Sequence, residues 1–137
     1  MELRAYFRVD ADIPMFVRQL KKNDAVNYDC NISGQGFNNA MKSKLCRRMN
    51  ISGAGICFES ETAYAPDDFL EIRFMLEGVH DGLIAISVQV LRVERRQKDY
   101  CIAVKYVSID EQIRDLIIKF VFQRERILIQ EKRVGWL

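Results

Sequence analysis

With 137 residues, the chain is long enough for one domain with its own core and too short for two of ordinary size. Hydrophobic residues make up 49% of it and charged residues 29%, the balance of a globular protein. A formal net charge of +2 is too mild for a nucleic-acid coat or a membrane-surface domain. No run approaches ~18 consecutive apolar residues, so no membrane insertion is expected. The start Met1-Glu2-Leu3-Arg4 has no apolar run behind it, so no secretory leader is expected either. Cys30, Cys46, Cys57 and Cys101 are widely spaced, and His80 is the sole histidine. That pattern predicts reduced thiols in a cytoplasmic domain, with no metal site and no cofactor.

In chain order, residues 1–8 are polar and basic and read as an exposed, flexible arm. Val9 to Leu20 reads as a strand, with Ile13, Met15 and Val17 on one face and Pro14 marking an edge or a strand start. Asn, Asp, Ser and Gly cluster in residues 21–45, which predicts a long loop or insertion with a short helix near Asn39–Lys44. Arg4, Arg8, Arg18, Lys21, Lys22, Lys42, Lys44, Arg47 and Arg48 crowd this first third, so an anionic ligand is expected to meet it.

Regularity returns near residue 54. Ile56 and Phe58 alternate with Cys57 and Glu59, and Leu70, Ile72 and Phe74 follow the Pro66-Asp67-Asp68 turn. Ile84, Ile86, Val88 and Val90 form the clearest strand pattern, and Tyr100, Ile102, Val104 and Tyr106 the last. Several short strands at this spacing predict a closed antiparallel barrel or a sandwich. After Ser108 the period changes. Ile113, Leu116, Ile117, Phe120, Val121, Arg124, Ile127 and Leu128 recur at helical spacing over residues 109–133, with Ser108 expected as N-cap. This helix is expected to close one end of the barrel. Its far end, Ile127-Leu128-Ile129, is apolar enough to accept a second copy of the chain, which makes a homodimer one expectation.

Catalysis is hard to build from these residues. His80 sits in a Gly-flanked turn with no nucleophile or orienting acid tied to it, and reads as a surface residue. Asp67-Asp68 reads as a solvated turn, and no GxGxxG or Walker-type loop occurs. No enzyme is expected.

Two short patterns remain. Arg4-Ala5-Tyr6-Phe7-Arg8 spaces two arginines four apart, and Asn50-Ile51-Ser52-Gly53-Ala54-Gly55 leads straight into the Ile56-Cys57-Phe58 strand. Each alone is common. Together, ahead of a barrel and a terminal helix, they resemble the PilZ family, whose motif is RxxxR followed by [D/N]xSxxG. Residues 4–17 resemble the family's approach to its first barrel strand, and residues 100–126 its last strand and closing helix.

The resemblance implies a mainly β fold: a six-stranded antiparallel PilZ-type barrel with a C-terminal helix, in a single domain over 1–137. It implies a receptor for cyclic di-GMP, with Arg4, Arg8, Asn50, Ser52 and Gly55 at the ligand and a downstream protein partner. Arginine suits such a ligand because its fork bonds O6 and N7 of guanine or a phosphate, and stacks on a base. The stretch from Arg8 to Asn50 is longer than the family's usual spacing, and a second copy of the string lies inside it: Asn31-Ile32-Ser33-Gly34-Gln35-Gly36. The Asn50 copy precedes a convincing strand, so the site is assigned to it. Arg47 and Arg48 are near enough in sequence to add phosphate contacts, with solvated charges as the plainer reading. Two other readings stand beside this one: a ligand-free PilZ-like adaptor, and a small barrel binding nucleic acid through its basic first third, with Tyr6 and Phe7 stacking on bases. Steep salt dependence would mark the latter.

Overall fold

The computed structural model describes residues 7–135. Arg4 and the rest of the arm up to Tyr6 lie outside them, as do the side chains of Leu128 and Ile129. In chain order the elements are β1 (Arg8–Leu20), α1 (Lys22–Val26), β2 (Asn31–Ile32), α2 (Asn39–Leu45), β3 (Cys46–Ser52), β4 (Gly55–Ser60), β5 (Phe69–Leu76), β6 (His80–Arg95), β7 (Tyr100–Ser108) and α3 (Glu111–Gly135). The ring runs β6-β5-β1-β3-β4-β7, and antiparallel pairing of β6 with β7 closes it. β2 adds to β6 beside the ring. No described helix is long and apolar enough to cross a membrane.

Period-two alternation sends one face of each strand inward. Val9, Ala11, Ile13 and Met15 of β1 meet Met49 and Ile51 of β3, Phe58 of β4, Ile72 and Phe74 of β5, Ile86 and Val88 of β6, and Ile102 of β7 in one core. Ile113, Ile117, Phe120 and Val121 of α3 complete it. The alternations expected for β4 to β7 are therefore those of the barrel wall.

Pro14 lies inside β1 and is buried, not at a strand start. It is the last residue of β1 paired with β3, opposite Cys46, and Met15 is the first paired with β5, opposite Phe74. A residue without an N–H is tolerated where a strand changes partners. β3 itself was not legible as a strand. Its polar Arg47, Arg48 and Asn50 lower the intrinsic preference, and the ladder to β1 overrides it.

Residues 21–45 hold more than the expected short helix. α2 appears as read, capped by the Asn38 side chain, whose Oδ1 accepts the Met41 N–H at 2.9 Å. α1 and β2 were not anticipated. Much of the segment lies on the barrel's outer wall. Ala25 is fully buried there, and its carbonyl accepts the Ser87 hydroxyl at 2.7 Å. Tyr28 donates its hydroxyl to Glu71 Oε2 at 2.7 Å. Glu71 is 1% exposed, on the outer face of β5, and also accepts Nε and Nη2 of Arg18 at 2.8 and 3.1 Å and Nε of Arg73 at 3.1 Å. Burial alone would raise its carboxyl; hydrogen bonds from Arg18 and Tyr28 and the charge of Arg73 outweigh that and hold it below its ordinary value.

The N-cap of α3 is Asp110, not Ser108: Asp110 Oδ1 accepts the Ile113 N–H at 2.8 Å. β7 runs through Ser108, whose hydroxyl donates to the Tyr28 carbonyl at 2.7 Å. His80 also has a structural tie. It is half-buried, and its Nε2 donates to the Ser33 carbonyl at 3.1 Å.

Candidate ligand site at the barrel rim

Arg8 is the first residue of β1, exposed, and stands opposite Ser52, the last residue of β3. Two residues along, Asp10 stands opposite Asn50. Asn50 donates from Nδ2 to Asp10 Oδ1 at 3.0 Å. The ladder continues to β4, where Cys57 is the partner of Asn50. Arg8, Asn50, Ser52, Gly55 and Cys57 line one side of a pocket of about 190 Å³. Leu91 and Arg92 of β6 line it too, at a break in the β6–β7 register between Val90 and Arg92. Leu91 is 53% exposed, an apolar side chain left at the rim by that irregularity.

Ser52 and Gly55 build the turn that shapes this rim. The Ser52 hydroxyl accepts the N–H groups of Ala54 and Gly55 at 3.1 and 3.3 Å and donates to the Gly55 carbonyl at 3.3 Å. Tyr106 reaches across from β7 and donates its hydroxyl to the Ser52 carbonyl at 2.6 Å. Burial pushes the Tyr106 phenol well up, so it remains a donor. Gly55 is required by the neighbouring strand: a Cβ there would lie 2.5 Å from the Val104 carbonyl oxygen. Close approach of backbone to backbone accounts for the glycine.

The second motif copy lies elsewhere. Asn31 and Ile32 pair with Ala85 and Ile84 of β6, and the Ser33 hydroxyl closes a local turn on Gln35 N at 3.1 Å. The copy that faces Arg8 across a ladder is Asn50-Ile51-Ser52. Arg47 and Arg48 stand toward the other end of β3. Arg47 sits 5.8 Å over the Phe58 ring and donates to the Glu59 carbonyl at 3.3 Å, while Arg48 pairs with Asp12 at 3.4 Å. Both line a separate pocket of about 520 Å³ with Lys44, Glu61 and Tyr64.

Sequence reasoning missed Asp10, Cys57, Leu91, Arg92 and Tyr106. Asp10 and Cys57 become neighbours of Asn50 only through the register of β1 and β4 on β3. Leu91 and Arg92 lie where the inward–outward alternation is interrupted. Burial, with a hydrogen bond donated to Cys101, pushes the Cys57 thiol up to about 12.

A family model described as the PilZ domain matches residues 2–123. Two solved structures share the fold. One is a pathogenic protein from Xanthomonas campestris, described as a tetrameric PilZ domain self-assembled via a helical bundle; it is 11% identical over 90% of each chain, with a TM-score of 0.63. The other is the Bacillus subtilis inhibitor of motility MotI/DgrA, 14% identical, with a TM-score of 0.63 over 91% of this chain and 52% of that one. A search of curated proteins gives no significant match. A barrel of six antiparallel strands closed by a C-terminal helix, and a family match that runs from residue 2 into that helix, place the chain in the PilZ domain family.

Proposed function

We propose that the chain is a cyclic di-GMP receptor that binds the dinucleotide at the barrel rim, leaves it chemically unchanged, and signals to a protein partner. Register is the observation that carries this reading. Arg8 and Ser52 are ladder partners although the whole of residues 9–51 lies between them, so one charged and one polar motif share a pocket. Arg8 supplies a guanidinium for a guanine edge or a phosphate, and Asn50 a polar group for the base. At about 190 Å³ the pocket is below the roughly 300–1,000 Å³ of enclosed small-molecule sites, so it takes only part of the dinucleotide. The arm that carries Arg4 closes over the remainder, and its ordering is the signal.

Phe7, next to Arg8, touches Phe122 of α3, which gives that ordering a route to the helix. Self-association through α3 belongs to the same reading. The Xanthomonas campestris relative is described as assembled via a helical bundle, and Ile127 on α3 is 46% exposed. Titration calorimetry with cyclic di-GMP tests the proposal. Specific binding that Arg8→Ala weakens by about 10- to 150-fold supports it; absence of binding to the full chain, or an unchanged affinity in Arg8→Ala, rejects it.

A further inference from the structure

An asparagine carboxamide is ambivalent: one end donates and the other accepts, and the two are nearly the same shape. Which end faces a ligand is decided by what holds the other. Asp10 holds Asn50. The contact runs from Asn50 Nδ2 to Asp10 Oδ1 at 3.0 Å, between residues that face each other across the β1–β3 ladder. An ionised carboxylate only accepts, so the NH₂ end must point toward it and Oδ1 must point away. Asn50 also lines the rim pocket.

We infer that Asp10 is a positioning residue that fixes the Asn50 carboxamide with its oxygen toward the pocket, so that the rim presents an acceptor to the donor edge of guanine. This rests on the reading of the rim pocket as the cyclic di-GMP site. Guanine carries N–H donors at N1 and at the exocyclic N2, where adenine has an acceptor and a C–H. An oxygen at this place therefore favours guanine and disfavours adenine, and a freely turning amide would favour neither. Asp10 acts through Asn50 and stands outside the pocket lining, so its influence is on orientation.

The test is titration calorimetry of the full chain with cyclic di-GMP at neutral pH, using Asp10→Ala, Asp10→Asn, Asn50→Asp and the double variant Asp10→Asn/Asn50→Asp. Asp10→Ala frees the amide and is expected to lower affinity about tenfold. Asp10→Asn can hold Asn50 by either end of its amide and is expected to lose less affinity than Asp10→Ala. Asn50→Asp sets two carboxylates against each other and loses affinity. The double variant exchanges the roles, with the amide now at residue 10 donating to a carboxylate at residue 50, and is expected to recover it. Rescue by exchange is a readout that a merely structural role for Asp10 would not produce. If the unmodified chain binds while Asp10→Ala binds equally well, or if the double variant is no better than Asn50→Asp, the inference is overturned and the receptor reading stands. If the unmodified chain does not bind, both fall.

Discussion

Phe7 meets Phe122 edge-on, with ring centroids 5.5 Å apart and planes inclined at 66°. One residue of that pair adjoins Arg8, and the other belongs to the helix that closes the barrel. Such a contact is worth about 0.5–1.5 kcal/mol beyond its buried area, enough to couple two elements without locking them. Cyclic di-GMP is expected to slow amide exchange in α3 around Phe122. Phe122→Ala is expected to bind with affinity within about threefold while that slowing disappears. Equal slowing in the variant would remove the contact from the signalling route.

Arg8→Ala and Ser52→Ala are expected to fail in different ways. Loss of the Arg8 guanidinium removes a charge-assisted contact of roughly 1.5–3 kcal/mol, a fall of about 10- to 150-fold in affinity, with the melting temperature little changed. Ser52 is 3% exposed, and its hydroxyl serves the turn's own backbone. Ser52→Ala leaves those N–H groups short of a partner and is expected to cost about 1–3 kcal/mol of stability, read as a lowered denaturant midpoint. Ser33→Ala, in an exposed local turn, is expected to cost less and to leave binding intact.

Gly55→Ala sets a methyl group 2.5 Å from the Val104 carbonyl oxygen, and neither strand backbone can yield cheaply. Overpacking of this kind costs typically about 1–3 kcal/mol. Thermal unfolding of Gly55→Ala, with cyclic di-GMP absent, is the measurement. An unaltered melting temperature would show that β4 and β7 part easily at the rim.

The Glu71 cluster makes stability depend on pH at both extremes. Glu71 has a folded-state carboxyl held below its ordinary value of 4.5, so its contribution is present above that value. It is lost as pH falls through the lowered folded value. Tyr28 is the converse case. Burial first, and its bond to Glu71, push its phenol from 10.0 to about 12, so its contribution is lost as pH rises across that window. Denaturant midpoints are expected to decline below about pH 4.5 in the unmodified chain and less steeply in Glu71→Gln, and Tyr28→Phe is expected to flatten the alkaline limb.

Ile127→Glu tests self-association. A charge on an exposed apolar residue of α3 is expected to shift sedimentation toward the monomer, with the barrel's unfolding midpoint unchanged. A chain that is already monomeric at all concentrations would reject assembly through this helix.

The barrel wall was readable because β4 to β7 each carry a run of apolar residues at every second position, such as Ile84, Ile86, Val88 and Val90, and the helix because its apolar residues keep a three-to-four spacing. β3 was hidden by Arg47, Arg48 and Asn50, whose placement is decided by pairing with β1. The candidate site residues within the described chain, Arg8, Asn50, Ser52 and Gly55, were nameable from the motif resemblance, but their juxtaposition at one pocket was not. It depends on how β1 lies along β3, a relation between distant segments that no local pattern encodes. Tyr106 was legible as a strand residue and illegible as a hydrogen-bond donor, since its partner, the Ser52 carbonyl, lies on another strand. The crowding that requires a glycine at residue 55 was likewise illegible, because the atom that would meet a side chain there is the Val104 carbonyl oxygen, on another strand.

Pro14 divides β1 into two tracts with separate neighbours. The tract from Arg8 to Pro14 is zipped to β3, and the tract from Met15 to Leu20 to β5. A residue that contributes no amide hydrogen is accommodated at the seam, where the strand passes from one neighbour to the other. Val9, Ala11 and Ile13 of the first tract lie in the hydrophobic interior, so the strand end that carries Arg8 is anchored by the same packing that holds the cylinder shut.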